Sequence, residues 1–141
     1  MNSIRILIVD DFVMIRSLLK TSLANLGLRN VYEARDGFEA HDKIVTAFKD
    51  KNPYHIVFLD WNMPNMNGLE LLQKCRAQSE FNSLDFIMMS AEQEAKKVLQ
   101  ALDAGATDFI IKPFTSEDLV KKVEARLLQN KKYTNIERKI G

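Results

Sequence analysis

Five short runs rich in Ile, Val, Leu and Phe, at residues 4–9, 30–34, 55–59, 84–89 and 107–111, recur at intervals of about 25 residues. Each has the length of a strand. Between them apolar residues return at three-and-four spacing, the signature of helices with one buried face: Ile15, Leu18, Leu19, Ser22 and Leu26; Ala40, Ile44, Ala47 and Phe48; Leu71, Leu72 and Cys75; Ala95, Val98, Leu99 and Leu102. A fifth helix is expected from Thr115 and Ser116, where Thr115-x-x-Asp118 resembles a capping box, with Leu119, Val123 and Leu127 along one face. Gly27 and Gly105 fall where helices should end, and Asp36-Gly37 and Asn67-Gly68 where new ones should begin. Short apolar strands, each followed by a helix, require right-handed crossovers and a parallel sheet covered on both faces. The pattern therefore predicts a doubly wound α/β sandwich.

A chain of 141 residues is one domain, large enough to bury an apolar core without disulfides or a structural metal. Its 20 Lys and Arg nearly balance 19 Asp and Glu, so no global field favours nucleic acid or an anionic membrane. With one cysteine, Cys75, and two histidines, His41 and His55, neither a disulfide framework nor a zinc cluster can be assembled. The first apolar run is stopped by Asp10 and Asp11, too early for a signal peptide or a membrane span. A cytoplasmic protein is expected. Residues 1–128 are read as the folded domain, and 129–141, with four basic residues and one acid, as a helix extension or flexible tail.

Open parallel sheets bind ligands beyond the carboxyl ends of their strands, where the strand order reverses. Asp10 and Asp11 follow the first predicted strand, Asp60 the third, Ser90 the fourth and Lys112 the fifth. Singly, each is an ordinary capping or solvated residue at a strand end. Together they are harder to dismiss, because carboxylates about 5 Å apart repel by roughly 3 kcal/mol per pair at an effective dielectric of about 20. A sheet edge that gathers them points to a bound cation. Oxygen ligands without thiolate or imidazole suit Mg²⁺, and no ligand-rich loop of the EF-hand kind favours calcium. A carboxylate beside Mg²⁺ can attack phosphorus and become an acyl phosphate when a fixed cation such as Lys112 neutralises the transferring group.

Val9-Asp10-Asp11-Phe12, the run Asp60-Trp61-Asn62-Met63-Pro64-Asn65-Met66-Asn67-Gly68-Leu69-Glu70-Leu71-Leu72, Ser90-Ala91-Glu92 and Lys112-Pro113-Phe114 resemble response-regulator receivers, in particular the CheY-like receivers of bacterial chemotaxis. The likeness spans residues 4 to 128, in order and in spacing. It implies a flavodoxin-like five-stranded sheet of order 2-1-3-4-5 with helices on both faces. It also implies Asp60 as phospho-acceptor, Asp11, Asp60 and the Asn62 carbonyl as Mg²⁺ ligands, Asp10 in the outer shell, Ser90 on the phosphoryl oxygen and Lys112 paired with Asp60 or phosphate. A cis Lys112-Pro113 bond is expected on the same ground. Asn62 and Glu92 occupy the positions by which receivers tune their own dephosphorylation, and their pairing is similar to that of fast-resetting chemotaxis receivers.

Two positions depart from the pattern. Phe109 stands where CheY-like receivers carry a tyrosine switch. Without a hydroxyl it offers packing alone, so rotamer exchange and a static core ring both remain open. Asn67 replaces an aspartate common before Gly68 and should still cap the third helix. Val98, Leu102, Phe109, Ile111 and Lys122, with Lys96, Lys97 and Lys121 nearby, fall on or near the surface receivers use for partners; a solvated lysine face is the alternative. Trp61 is expected to be partly exposed beside the metal site. Met63, Met66, Met88, Met89 and Cys75 read as filling.

The implied partners are a CheA-type histidine kinase, the flagellar motor switch and a phosphatase, with no nucleic acid, no membrane and a monomeric state. The function so read is phosphorylation-controlled switching of a protein-binding surface in chemotaxis, with catalysis confined to the chain's own phosphorylation and dephosphorylation. A phosphate shuttle or sink is the alternative. An aspartate-nucleophile phosphatase would want Asp-x-Asp after the first strand, which Asp10-Asp11-Phe12-Val13 does not supply. The five glycines form neither a G-x-G-x-x-G nor a phosphate-binding loop. A docking module that is never phosphorylated has no need of the full set Asp10, Asp11, Asp60, Ser90 and Lys112.

Overall fold

The structure is a computed structural model that describes residues 4–91 and 95–129. Glu92 and the segment 130–141, on which two of the expectations above fall, lie outside the described residues.

Strands β1 (Ile6–Val9), β2 (Val31–Ala34), β3 (Ile56–Asp60), β4 (Asp85–Ser90) and β5 (Asp108–Ile111) form one sheet of order β2-β1-β3-β4-β5. Every pairing is parallel. Helices α1 (Val13–Asn25), α2 (Gly37–Lys49), α3 (Gly68–Arg76), α4 (Ala95–Asp103) and α5 (Ser116–Gln129) follow the strands in turn. The fold class expected from the alternation is the one observed.

Side chains alternate across a strand, so the sheet divides its apolar residues between two cores. Leu7, Val9, Val57, Leu59, Phe86 and Met88 face α2, α3 and α4, where Ala40, Ile44, Leu71, Leu72, Cys75 and Ala101 meet them. Ile6, Ile8, Ile56, Phe58, Ile87 and Met89 face α1 and α5, against Leu19, Leu23, Leu119 and Val123. Burial pushes the Cys75 thiol up to about 11, which suits an inert core residue. The four methionines expected as filling are all buried.

Chain punctuation behaves as read. Asp36 caps α2 through the Glu39 N–H, and Asn67 and Glu70 form a reciprocal capping box on α3. Thr115 and Asp118 exchange the equivalent pair of bonds at the start of α5. Gly27 and Gly105 adopt positive φ just beyond α1 and α4. The Lys112-Pro113 bond is cis. Helix α4 departs from its expected pattern. Leu99 is 60% exposed, beside Leu102, whose exposure fits its expected place on the partner surface, so the apolar face of α4 is wider than the core it covers.

Candidate functional site

Strand register delivers the polar residues to one edge. Val9 pairs with Leu59, so Asp10 and Asp60, one step further along β1 and β3, become neighbours across the ladder. Asp60 pairs with Met89, which puts Ser90 one residue beyond it, and Ser90 pairs with Ile111, which puts Lys112 beyond that. The ladder continues past the strands: Asp10 N–H donates to the Ala34 carbonyl at 3.2 Å, and Lys112 N–H to the Ser90 carbonyl at 2.8 Å. These bonds fix the backbones of the site before any side chain is considered. β1, with β2 on one side and β3 on the other, is the point where the chain reverses its winding.

One oxygen from each of Asp10, Asp11 and Asp60 lies within 4.8 Å of the others. Asp10 and Asp60 are buried, Asp60 at 3% exposure, while Asp11 faces solvent. Lys112 crosses from the end of β5 and places its Nζ 2.7 Å from Asp10 Oδ2 and 3.1 Å from Asp60 Oδ1. The other oxygen of Asp10 accepts the Phe12 N–H at 2.9 Å. Asp10 is thus held on both oxygens by protein donors, and Asp11 and Asp60 are the carboxylates left open towards a cation.

Electrostatics follow from this crowding. Burial, reinforced by the neighbouring charge of Asp10, pushes the Asp60 carboxyl up to about 6, against the opposing pull of Lys112. Burial alone would depress Lys112, but the hydrogen bond to Asp10 and the charges of Asp60 and Asp10 outweigh it, and the ammonium is held above its usual range. Three carboxylates against one ammonium leave an excess of two negative charges, the amount a divalent cation cancels. The all-oxygen donor set, half buried and open on one side, fits Mg²⁺.

Ser90 is fully buried at the end of β4, and Asn62 is exposed in the loop after β3. Phe109 is 6% exposed and points into the molecule, its ring centre 6.4 Å from that of Trp61. Trp61 corrects the sequence reading. Partial exposure beside the metal site is expected, but the residue is only 5% exposed, packed against Phe109 and under the Lys97 ammonium 4.6 Å from its ring centre. A cation over an indole face contributes about 0.5–1 kcal/mol where exposed and more where water is excluded. Lys97, read from sequence only as part of a lysine-rich face, therefore has a specific partner. No periodicity could have revealed it, because the pair joins α4 to a loop 36 positions earlier, from Trp61 to Lys97.

The residues assigned to a partner surface do come together. Val98, Leu102, Phe109, Ile111 and Lys122 line one groove of about 490 Å³ between α4, β5 and α5. Lys122 pairs there with Asp108 at 3.0 Å. Sequence reasoning also missed Arg16, which donates to the Asp10 carbonyl at 2.6 Å and to Glu33 at 2.9 Å, tying α1 and β2 to the acidic edge. His55 accepts the Arg5 N–H, at the other end of β3.

Comparison with known proteins agrees with this geometry. The response regulator receiver domain family matches residues 6–124. The chain is 39% identical to chemotaxis protein CheY1 of Helicobacter pylori over 126 residues, covering 89% of this chain and 98% of that one. It is 40% identical over 120 residues to a CheY homolog of Campylobacter jejuni, covering 85% and 89%. Among solved structures, the chemotaxis response regulator CheY4 of Vibrio cholerae superposes with a TM-score of 0.77 at 30% identity, covering 88% of this chain and 98% of that one. A two-component response regulator of Clostridium difficile gives 0.79 at 29%, covering 90% and 98%.

Proposed function

This chain belongs to the response regulator receiver domain family, and from that premise we propose that it accepts a phosphoryl group on Asp60 and thereby switches the groove between α4, β5 and α5 as a protein-binding surface. The observation that carries the proposal is the position of Lys112, whose ammonium bridges Asp10 and Asp60 at 2.7 and 3.1 Å inside a carboxylate cluster that its single charge does not neutralise.

Asp11, Asp60 and the Asn62 carbonyl would hold Mg²⁺, with Asp10 in its outer shell. Mg²⁺, when bound, supplies charge neutralisation on the incoming phosphoryl oxygens. The side chains do the rest. An Asp60 oxygen, ionised above its pKa of about 6, attacks phosphorus as the leaving group departs, giving an acyl phosphate. Lys112 meets the charge that accumulates on the transferred group, and the Ser90 hydroxyl donates to one of its oxygens. Burial of Asp60, at 3% exposure, limits bulk water at the carboxyl. Asn62 and Glu92 set the lifetime of the acyl phosphate by positioning or excluding the hydrolytic water. The added charge of about −2 draws Ser90 and Lys112 inward and shifts β5 with them. Phe109, already buried, transmits that shift by packing and not through a hydroxyl.

The donor would be a phosphohistidine on a CheA-type kinase, the target the flagellar motor switch, and the signal would be ended by the chain itself or a phosphatase. Residues 1–128 would act as a monomeric unit in the cytoplasm. No helix among the described residues is long and apolar enough to cross a membrane.

Incubation with acetyl phosphate and Mg²⁺, followed by intact mass, should add one phosphoryl group to the wild type and none to Asp60→Asn. Equal labelling of the variant sinks the assignment. Capture of a motor-switch peptide only by the phosphorylated form separates motor control from a phosphate sink, which would show labelling without capture.

A further inference from the structure

The Trp61 indole joins the acidic site to the groove by two contacts. Asp60 is its neighbour in the chain, and its own backbone is fixed, with the N–H donating to the Met89 carbonyl and the carbonyl accepting the Gly68 N–H, both at 2.8 Å. One contact is Phe109, whose ring centre lies 6.4 Å away and which forms part of the groove. The other is Lys97, 4.6 Å from the ring centre, whose successor Val98 forms the groove's α4 wall. Packing against Phe109 depends on shape alone. The Lys97 contact depends on charge, because an ammonium is held over an indole by the ring's negative face and is drawn away by any stronger anion nearby.

We propose that Lys97 is a positioning residue that pins α4 to Trp61 in the resting protein, so that the charge at Asp60 and the shape of the groove are coupled through the indole. The inference rests on Asp60 being the phospho-acceptor and adds to it a residue outside the acidic cluster. In the resting form the ammonium lies over Trp61 and holds Val98 and the exposed Leu102 in their observed relation to Phe109. A phosphoryl dianion on Asp60 displaces the backbone of its neighbour Trp61, the indole shifts from under the ammonium, and α4 is released together with the groove wall it carries. Reciprocity requires that a ligand favouring the released form of the groove also favours the dianion.

The test uses the full chain with Mg²⁺, with and without beryllium fluoride as a phosphoryl analogue, in wild type, Asp60→Asn, Lys97→Gln and Lys97→Arg. The readouts are hydrogen exchange of the α4 amides and Trp61 emission. Lys97→Gln should raise α4 exchange in the resting protein by about three- to tenfold and shrink the further change caused by beryllium fluoride. Lys97→Arg, which keeps a cation over the ring, should restore wild-type behaviour. A full wild-type response in Lys97→Gln overturns the role of Lys97 and leaves the receiver reading intact. A wild type that does not respond, or an Asp60→Asn that responds equally, overturns the receiver reading itself.

Discussion

The Asp60 carboxyl is held in the folded chain with a pKa of about 6, above an ordinary value of 3.8, so the fold binds its proton more tightly than the unfolded chain does. Stability linked to this group therefore falls as pH rises through the window from about 4 to 6, and above 6 the penalty is fully present. A shift of this size corresponds to about 2–3 kcal/mol. Asp60→Asn removes the buried charge and keeps the shape. In EDTA at pH 7.5 the variant should be more stable than wild type by about 1–3 kcal/mol in urea titration, and the difference should fall to about half by pH 5 and approach zero only near pH 4. A difference independent of pH would assign the effect to packing. At this scale the site residues were legible because each falls one step past an apolar run. Asp10, Asp60, Ser90 and Lys112 needed only the strand ends to be placed. Trp61 and Lys97 were not legible, since an aromatic beside a loop aspartate carries no mark of what will cover it.

Two tight joints hold the elements that present these residues. A Cβ on Gly68 would lie 2.2 Å from the Asp60 carbonyl oxygen and 3.0 Å from Trp61 Cα, so the first residue of α3 can pack against the end of β3 only as glycine. Gly68→Ala must push backbone against backbone. It should cost about 2–3 kcal/mol in urea titration and, because the Asp60 backbone moves, also weaken Mg²⁺ binding followed by Trp61 emission. Loss of stability with unchanged Mg²⁺ affinity would show that the strain is absorbed in α3.

Arg76, at the other end of the same helix, donates to the carbonyls of Gly105, Phe81 and Leu84 at 2.7–2.9 Å, and its guanidinium lies 4.9 Å from the centre of the Phe86 ring. One side chain thus ties α3 to the turn after Ser79–Phe81, to the start of β4 and to the turn between α4 and β5. Arg76→Met leaves those carbonyls without their donor and should cost about 2–4 kcal/mol in urea titration. Arg76→Lys should recover only part of this, because a point ammonium cannot reach acceptors spread around a planar fork. Helix positions were readable from apolar spacing, but this stitch was not: an arginine in the last turn of a helix looks like an ordinary dipole partner. Leu99 was misread for a related reason, since it continues the apolar spacing of α4 beyond the core, whereas Leu102 is exposed as its place on the partner surface requires.

For the molecule as a whole, the sheet concentrates its electrostatic strain at the switch point although the complete chain is nearly neutral, with a net charge of +1. The stability of this fold should therefore depend on what occupies that edge. A ligand that binds only the folded state at a hundred times its dissociation constant adds about 2.7 kcal/mol, or roughly 8–10 °C in Tm for a domain of this size. Asp60→Asn removes both the repulsion that Mg²⁺ relieves and one of the carboxylates that would hold it. The two effects oppose each other, and the sign of the difference should invert with the metal: the variant melts above wild type in EDTA and below it in saturating Mg²⁺. Monovalent salt should narrow the first gap by screening the exposed Asp11 and leave the second largely unchanged. Melting curves of both proteins across a Mg²⁺ series would show the crossing. Curves that stay parallel would mean that the carboxylates are paired well enough by Lys112 and Phe12 to need no cation, and the magnesium account of this edge would fail.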